Sequence, residues 1–303
     1  MKKFIFILTI LLMLLCNINV RSQSQDLMEQ TQKTMVNAVN WLYDNFEEFD
    51  RECFLIGTLD DSMGHYQTFT ANKSIDEVTD KVKWLFGKDL TFVPDTMRRQ
   101  RITTYGNNGI LALFVTALFK NDYSDLRALR VCAVSPFVRY YGSEVKTAAD
   151  PKDPVCNSTT NFEIELFSPS LAKTVAGYYH FDYDNVSALS SGGDIGFRGV
   201  INKEKIVTEA QKISFLAGFF MRYGRLKNPN DNSRYSVHVP NSFSKSKECV
   251  DILKEFGCKN VKEIQTKQSE EYLGFNASNK IRDLITLIDN LDVKTLNGII
   301  IAF

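Results

Sequence analysis

The chain of 303 residues carries 36 basic and 36 acidic side chains, so its formal net charge at neutral pH is zero. Such a balance leaves no overall electrostatic footprint for nucleic acid, which argues against a protein that binds polyanions through bulk charge. With 44% hydrophobic residues and 22 Phe, the chain can bury a substantial core, and its length suits one large or two small domains.

At the N-terminus, Lys2 and Lys3 precede an apolar run from Phe4 to Cys16, and polar residues follow up to Gln23. A charged start, a short apolar stretch and small or modest residues before a cleavage point predict a secretory signal peptide over 1–22. The run is shorter than the ~20 residues needed to span a bilayer. Cys16 is disfavoured as a lipid-attachment site because the bulky Leu15 precedes it. Removal of Lys2, Lys3 and Arg21 leaves 33 of the 36 basic residues against 36 acidic ones, a slightly acidic product. The expected location is secreted or periplasmic, with no transmembrane span after signal removal. Five cysteines then remain: Cys53, Cys132, Cys156, Cys249 and Cys258. An oxidising compartment permits disulfides, but an odd count leaves at least one thiol unpaired or intermolecular. Cys249 and Cys258 flank one predicted helix, and nine helical residues rise about 13 Å, too far for a bridge unless the chain turns back before Cys258.

Residues 23–150 read as a helix-rich part. "LMEQTQKTMVNAVNWLYDNFEEF" (27–49) has the spacing of an amphipathic helix. "SIDEVTDKVKWLFG" opens with Ser74, carries Asp76 and Glu77 in its first turn and stops at Gly87, all helix-boundary signals. "GILALFVTALF" (109–119) is apolar on every side but too short to cross a membrane, so it predicts a buried helix. "RVCAVSPFVRYYG" suits strand or helix, with Pro136 breaking either. "TAADPKDPVCNSTT" (147–160) holds Pro151 and Pro154 among turn formers and marks a candidate boundary, the alternative being one continuous domain.

From 151 to the C-terminus an α+β part is expected. "NFEIELFS" alternates as a strand, and "SPSLAKTVAGYY" predicts a helix with Pro169 near its start. "SALSSGGDIGFRG" (187–199) reads as a loop. A long helix is predicted from about Lys203 to Tyr223, then a strand at "RYSVHV" and a helix at "SKSKECVDILKEFG" opened by Ser244. "NVKEIQ" and "EYLGFN" can pair as a hairpin, and "SNKIRDLITLIDNL" is amphipathic. The C-terminal third therefore runs helix–strand–helix–strand–strand–helix, with a possible extra short strand at Gly224 to Lys227. The fold class is α+β, helices packed on an antiparallel sheet.

Within the long helix, Ala210, Ser214, Ala217 and Gly218 form a small-residue stripe at helical spacings, which lets another helix approach closely. Phe215 and Phe219 fill a neighbouring face. The segment "LAGFFMRYG", opening an order close to α-ββ-α-ββ-α from Lys203 to the C-terminus, resembles the LAGLIDADG homing-endonuclease repeat. Leu216, Ala217, Gly218 and Gly224 match the motif, while Met221 and Tyr223 stand where that family has acids. The competing reading of the matching residues is a central packing helix, whose small-residue stripe lets another helix approach whatever the function. The second of the family's acids holds the catalytic divalent ion, so Tyr223 implies a module without nuclease activity.

Other constellations point to chemistry less directly. "HFDYDN" places His180, Asp182 and Asp184 at alternating positions; on an extended strand they share one side and form an imidazole–carboxylate metal set. The competing reading is a solvated polar loop. "DDSMGH" offers Asp60, Asp61 and His65 as acid–base partners, against a simple turn between strands. "SGGDIGFRG" is neither a dinucleotide fingerprint nor a phosphate loop, and neither GxSxG nor HExxH occurs. Sequons stand at Asn72, Asn157, Asn185 and Asn276. The terminal "GIIIAF" lacks the accompanying alternating strands of a membrane barrel.

These observations lead to an exported α+β protein that binds a protein or small ligand and performs no chemistry, with no cofactor and no nucleic acid expected. The alternatives are a secreted hydrolase or metal-dependent enzyme using His180, Asp182 and Asp184, or Asp60 and His65, and a degenerate LAGLIDADG-like module.

Overall fold

A computed structural model describes residues 33–59, 101–104, 109–135, 138–144, 163–189, 194–224, 226–228, 231–239, 244–265 and 271–291. Residues 33–45 form helix α1, with Met35, Ala38 and Leu42 buried along one face. The helix ends at 45, earlier than its apolar pattern predicts. Asp50 then caps a second helix, α2 (Arg51–Thr58), accepting from Cys53 N at 2.8 Å.

Helix α3 (Gly109–Phe119) is buried along most of its length, and Phe54 of α2 meets Phe114 of α3 edge-on at 5.8 Å. The ambiguous stretch around Pro136 resolves as strands β2 (Arg127–Ser135) and β3 (Val138–Glu144), paired antiparallel. Together with β1 (Arg101–Thr104) and β4 (Glu163–Phe167) they make a four-stranded sheet ordered β1-β4-β2-β3.

Helix α4 (Pro169–Ala176) starts where Pro169 predicts. Ser168 caps it, and Asp125 braces that cap, accepting from Ser168 Oγ at 2.7 Å and from Ser170 N and Oγ at 3.1 and 2.9 Å. Strands β5 (Tyr179–Leu189) and β6 (Asp194–Ile201) form a two-stranded sheet. The segment 187–199 is therefore not one loop: both of its flanks are strand, and only 190–193 lie outside the described residues.

Chain 203–223 is not one helix either. A short 3-10 turn, Lys203–Lys205, precedes helix α5 (Glu209–Tyr223). Thr208 sets the true start through a capping box: its hydroxyl accepts from Gln211 N, and Gln211 Oε1 accepts from Thr208 N. Gly224, at φ +68°, ends the helix in a conformation that glycine adopts without steric cost.

The remainder supplies every predicted element and the extra strand: β7 (Leu226–Asn228), β8 (Asp231–His238), α6 (Ser244–Glu255), β9 (Lys259–Gln265), β10 (Glu271–Asn276) and α7 (Asn279–Leu291). The sheet order is β7-β8-β10-β9, antiparallel throughout. Gly257, at φ +78°, closes α6 through bonds from Gly257 N to Lys254 O and from Cys258 N to Leu253 O, a Schellman arrangement. The architecture is α+β, as composition and pattern predict.

Helix α5 is the centre of the packing, with Ser214 to Phe220 all buried. Phe220 stacks on Phe275 of β10 at 6.0 Å, and Tyr235 of β8 stacks on the same ring at 5.9 Å. The opposite side of α5 lies on α2. A Cβ placed on Gly218 would come 2.0 Å from Phe54 O, and one on Gly57 would come 2.1 Å from Phe215 O. No side chain fits at those separations, so the two backbones meet because both positions are glycine. Asp50 N also donates to Ser214 Oγ at 2.9 Å. The predicted small-residue stripe is thus a seam at Ser214 and Gly218, whereas Ala210 is half-exposed beyond it. One apolar cluster runs from Met35 of α1 to Leu291 of α7. No described helix is long and apolar enough to cross a membrane.

Candidate functional site

The α2–α5 seam has a regularity that positions everything at its far end. Phe54, Gly57 and Thr58 of α2 stand in the same relative places as Phe215, Gly218 and Phe219 of α5. Gly57 approaches Phe215 O and Phe219 N, and Gly218 approaches Phe54 O and Thr58 N. Each helix therefore presents the same set of atoms to the other, which is the signature of a local two-fold pairing.

Beyond the glycines, both helices run towards Leu59. Its carbonyl, at the open end of α2, accepts from Tyr223 Oη at 3.2 Å and from Lys245 Nζ of α6. Orphan carbonyls at a helix end need such donors, and lysine is favoured there. Lys245 is fully buried, and the ring of Tyr223 packs on Phe219 at 5.1 Å. On the outer side of α6, Lys203 Nζ contacts Asp251 at 2.5 Å and the buried Glu248 at 3.3 Å. The Asp251 hydrogen bond, followed by the pull of Glu248, outweighs desolvation and raises the Lys203 pKa; Lys203 in turn lowers that of Asp251.

A second feature is an open cavity of about 660 Å³ where the end of α1, the first turns of α5 and the middle of α7 meet. Phe46, Ile213, Leu284 and Leu287 contribute its apolar part. Glu47, Glu48 and Asp283 line it with carboxylates. Its lysine, Lys280, is paired with Glu209 and lies 4.9 Å from the centre of the Phe256 ring.

A partly buried polar cluster joins α2 to the start of β5. Tyr178 Oη donates to Glu52 Oε2 at 2.9 Å. Burial, and then the charge of Asp50, push the Cys53 thiol far up. Burial, with Cys53 and Glu52 beside it, does the same to the Tyr178 phenol. Neither group is set up as a nucleophile at neutral pH. Cys53, Cys249 and Cys258 are buried, and none of the three is in a disulfide.

Among the sequence candidates, His180 is exposed on β5 opposite Val200. The β5–β6 register shifts between Phe181 and Val186, across the stretch that holds Asp182 and Asp184. The side chains of Asp182 and Asp184, and all of Asp60, Asp61 and His65, lie outside the described residues. Among the described residues, no three His, Cys, Asp or Glu side chains are gathered to hold a metal ion. Sequence reasoning missed α2, Lys245 and the cavity. The local signal for α2 is Asp50 placed before "RECFLIGT", a segment with an apolar centre from Cys53 to Ile56. Comparison with family models, with curated proteins and with solved structures returned no match.

Proposed function

We propose that this chain is an exported, non-catalytic binding protein built on a LAGLIDADG-like paired-helix scaffold. The reciprocal approach of Gly57 and Gly218 to each other's main chain carries the reading. That approach is a close backbone seam at "LAGFF", compatible with a LAGLIDADG-like helix pair and equally with a plain packing helix. The order α5-β7-β8-α6-β9-β10-α7, with strands arranged β7-β8-β10-β9, supports the same resemblance through its α-ββ-α-ββ-α pattern.

The non-catalytic part of the reading rests on what α5 offers at its end. Tyr223 replaces the acid that would hold a divalent ion, and its hydroxyl is turned to Leu59 O. Lys245 reaches the same carbonyl. A protonated lysine supplies donors only, and a neutral phenol is a poor substitute for carboxylate. Export rests on the charged, apolar and polar succession of residues 1–22.

A plasmid-nicking assay with magnesium tests the absence of nuclease chemistry. The wild-type protein and Tyr223→Asp are both expected to leave supercoiled plasmid intact. Magnesium-dependent nicking by the wild type overturns the non-catalytic reading, and nicking by Tyr223→Asp alone identifies a disabled metal site. N-terminal sequencing of protein from the native host tests export, with a start near Gln23 expected.

A further inference from the structure

We infer that the cavity between α1, α5 and α7 is a binding site for an aliphatic oligocation, a molecule of the linear polyamine class. The inference rests on the binding-protein reading and gives it a ligand.

Its size falls within the range of small-ligand pockets, roughly 300–1,000 Å³. Its chemistry is divided. Ile213 of α5 and Leu284 and Leu287 of α7, with Phe46 after α1, offer apolar contact. Glu47 and Glu48 come from the chain leaving α1, and Asp283 from the exposed side of α7. None of these three carboxylates has an ion-pair partner among the described residues. The positive charge in the lining is already engaged, since Lys280 pairs with Glu209 and lies over Phe256. The net demand of the cavity is therefore for positive charge.

Two helix N-termini also border this space, and free amides there would favour an anion. They are occupied. Thr208 and Gln211 close the start of α5, where Glu209 adds a carboxylate to the first turn. Ser278 Oγ accepts from Ile281 N at the start of α7. The end of α1 adds the carbonyl side of a helix dipole, which favours cations.

A bare metal ion suits the site poorly, because its carboxylates do not converge into a ligand group. Charges distributed around an apolar surface match ammonium groups spaced along methylene chains. The methylenes cover Ile213, Leu284 and Leu287 while the nitrogens reach Glu47, Glu48 and Asp283. Long amphipathic cations use their stems and charged heads in this divided way.

The test is isothermal titration of the full protein with spermine at low and at physiological salt. Saturable binding is expected, and it should weaken as salt rises because exposed charges are screened. The triple variant Glu47→Gln, Glu48→Gln, Asp283→Asn should bind at least tenfold more weakly. Leu287→Ser should weaken binding severalfold with the charges intact. Glu204→Gln with Glu263→Gln, which neutralises two exposed acids away from the cavity, should leave binding unchanged. No saturable binding by the wild type, equal loss in the Glu204/Glu263 control, or unchanged affinity in the triple variant overturns the inference. Displacement of spermine by an equal concentration of magnesium overturns it in favour of a metal site. The nicking assay run on the same preparation separates the two readings. DNA cleavage removes the non-catalytic reading and leaves the spermine result standing, whereas loss of spermine binding without cleavage removes only this inference.

Discussion

Gly57 and Gly218 are reciprocal halves of one contact: each lies so close to the other helix's main chain that a Cβ would fall about 2 Å from a carbonyl oxygen. The pairing fixes α2 against α5, and α5 in turn carries Phe220 onto the β8–β10 surface. Both ends of the contact are backbone, so the neighbour cannot yield by changing a rotamer. The helices themselves must separate.

Alanine at either glycine is therefore expected to destabilise the protein. Helix propensity alone favours alanine over glycine by about 1 kcal/mol. Overpacking a tight interior typically costs about 1–3 kcal/mol, and a backbone clash belongs at the upper end. The clash should win, so Gly218→Ala and Gly57→Ala should each lower stability, and Gly218→Leu should lower it further. The double alanine variant should cost less than the sum, since one separation of the helices relieves both clashes. Chemical denaturation of the three alanine variants measures this. A stabilised Gly218→Ala would show that the helices do not approach as described.

The parts of this fold that were legible in the sequence are those with a local cause. The run "SNKIRDLITLIDNL" declares its buried face through Ile281, Leu284, Ile285, Ile288 and Leu291, and α7 buries those residues. "NVKEIQ" and "EYLGFN" pair as their composition suggests. The start of α5 was misplaced although Thr208 and Gln211 spell a capping box, because apolar residues upstream extend the apparent helix. Glycines in "SSGGD" suggested a loop that consumed two strands; they mark only the connection between β5 and β6. Helix α2 was missed because eight residues give little periodicity, and its stability comes from Asp50 and from α5. The cavity was illegible for a different reason. Glu47, Ile213 and Asp283 are brought together only by three helices meeting, and nothing local in the sequence marks any of them.

Lys245 provides a separation of packing from polarity. Its nitrogen and Tyr223 Oη serve the same Leu59 carbonyl. Removing one donor leaves the other, so the carbonyl is not orphaned. Lys245→Ala should cost about 2–5 kcal/mol, as truncating a long buried side chain does. Lys245→Met refills most of the volume and should recover more than half of that loss. Tyr223→Phe should cost about 0.5–1.5 kcal/mol, the usual net value of one hydrogen bond. Denaturant midpoints of the three variants decide the matter; a methionine variant as unstable as the alanine one would assign the stabilisation to the polar contact.

The thiols of Cys53, Cys249 and Cys258 should resist modification in the native protein. All three are buried, and burial pushes the pKa of Cys53 and Cys258 upward. Thiolate is the reactive form, so slow alkylation follows from both access and ionisation. Peptide mapping after iodoacetamide treatment at pH 8 should find these three unlabelled before denaturation and labelled afterwards. A Cys249–Cys258 disulfide in a non-reducing map would contradict the structure, in which the two sulfurs are not bonded although the Schellman turn reverses the chain between them.

Asp125 sets an expectation for acid pH. Burial opposes its charge, but hydrogen bonds from Ser168 and Ser170 prevail and hold its pKa below the ordinary value of 3.8. A carboxylate whose folded pKa is depressed stabilises the fold above its unfolded pKa, and that contribution fades as pH falls through the folded value. The window therefore opens near pH 4 and extends downward. Asp251 shifts the same way through Lys203, but both partners are exposed, so screening leaves it a smaller share. Asp125→Asn should melt at a lower temperature than wild type at pH 7, because the brace on the α4 cap loses its charge. Between pH 4 and pH 2 its melting temperature should fall less steeply than that of wild type. Asp251→Asn should change the slope less, and its small effect should vanish in high salt. Thermal melts at pH 7 and from pH 4 to pH 2, at low and high salt, test all three expectations, and an Asp125→Asn profile parallel to wild type would show that Ser168 and Ser170 do not stabilise the charged form.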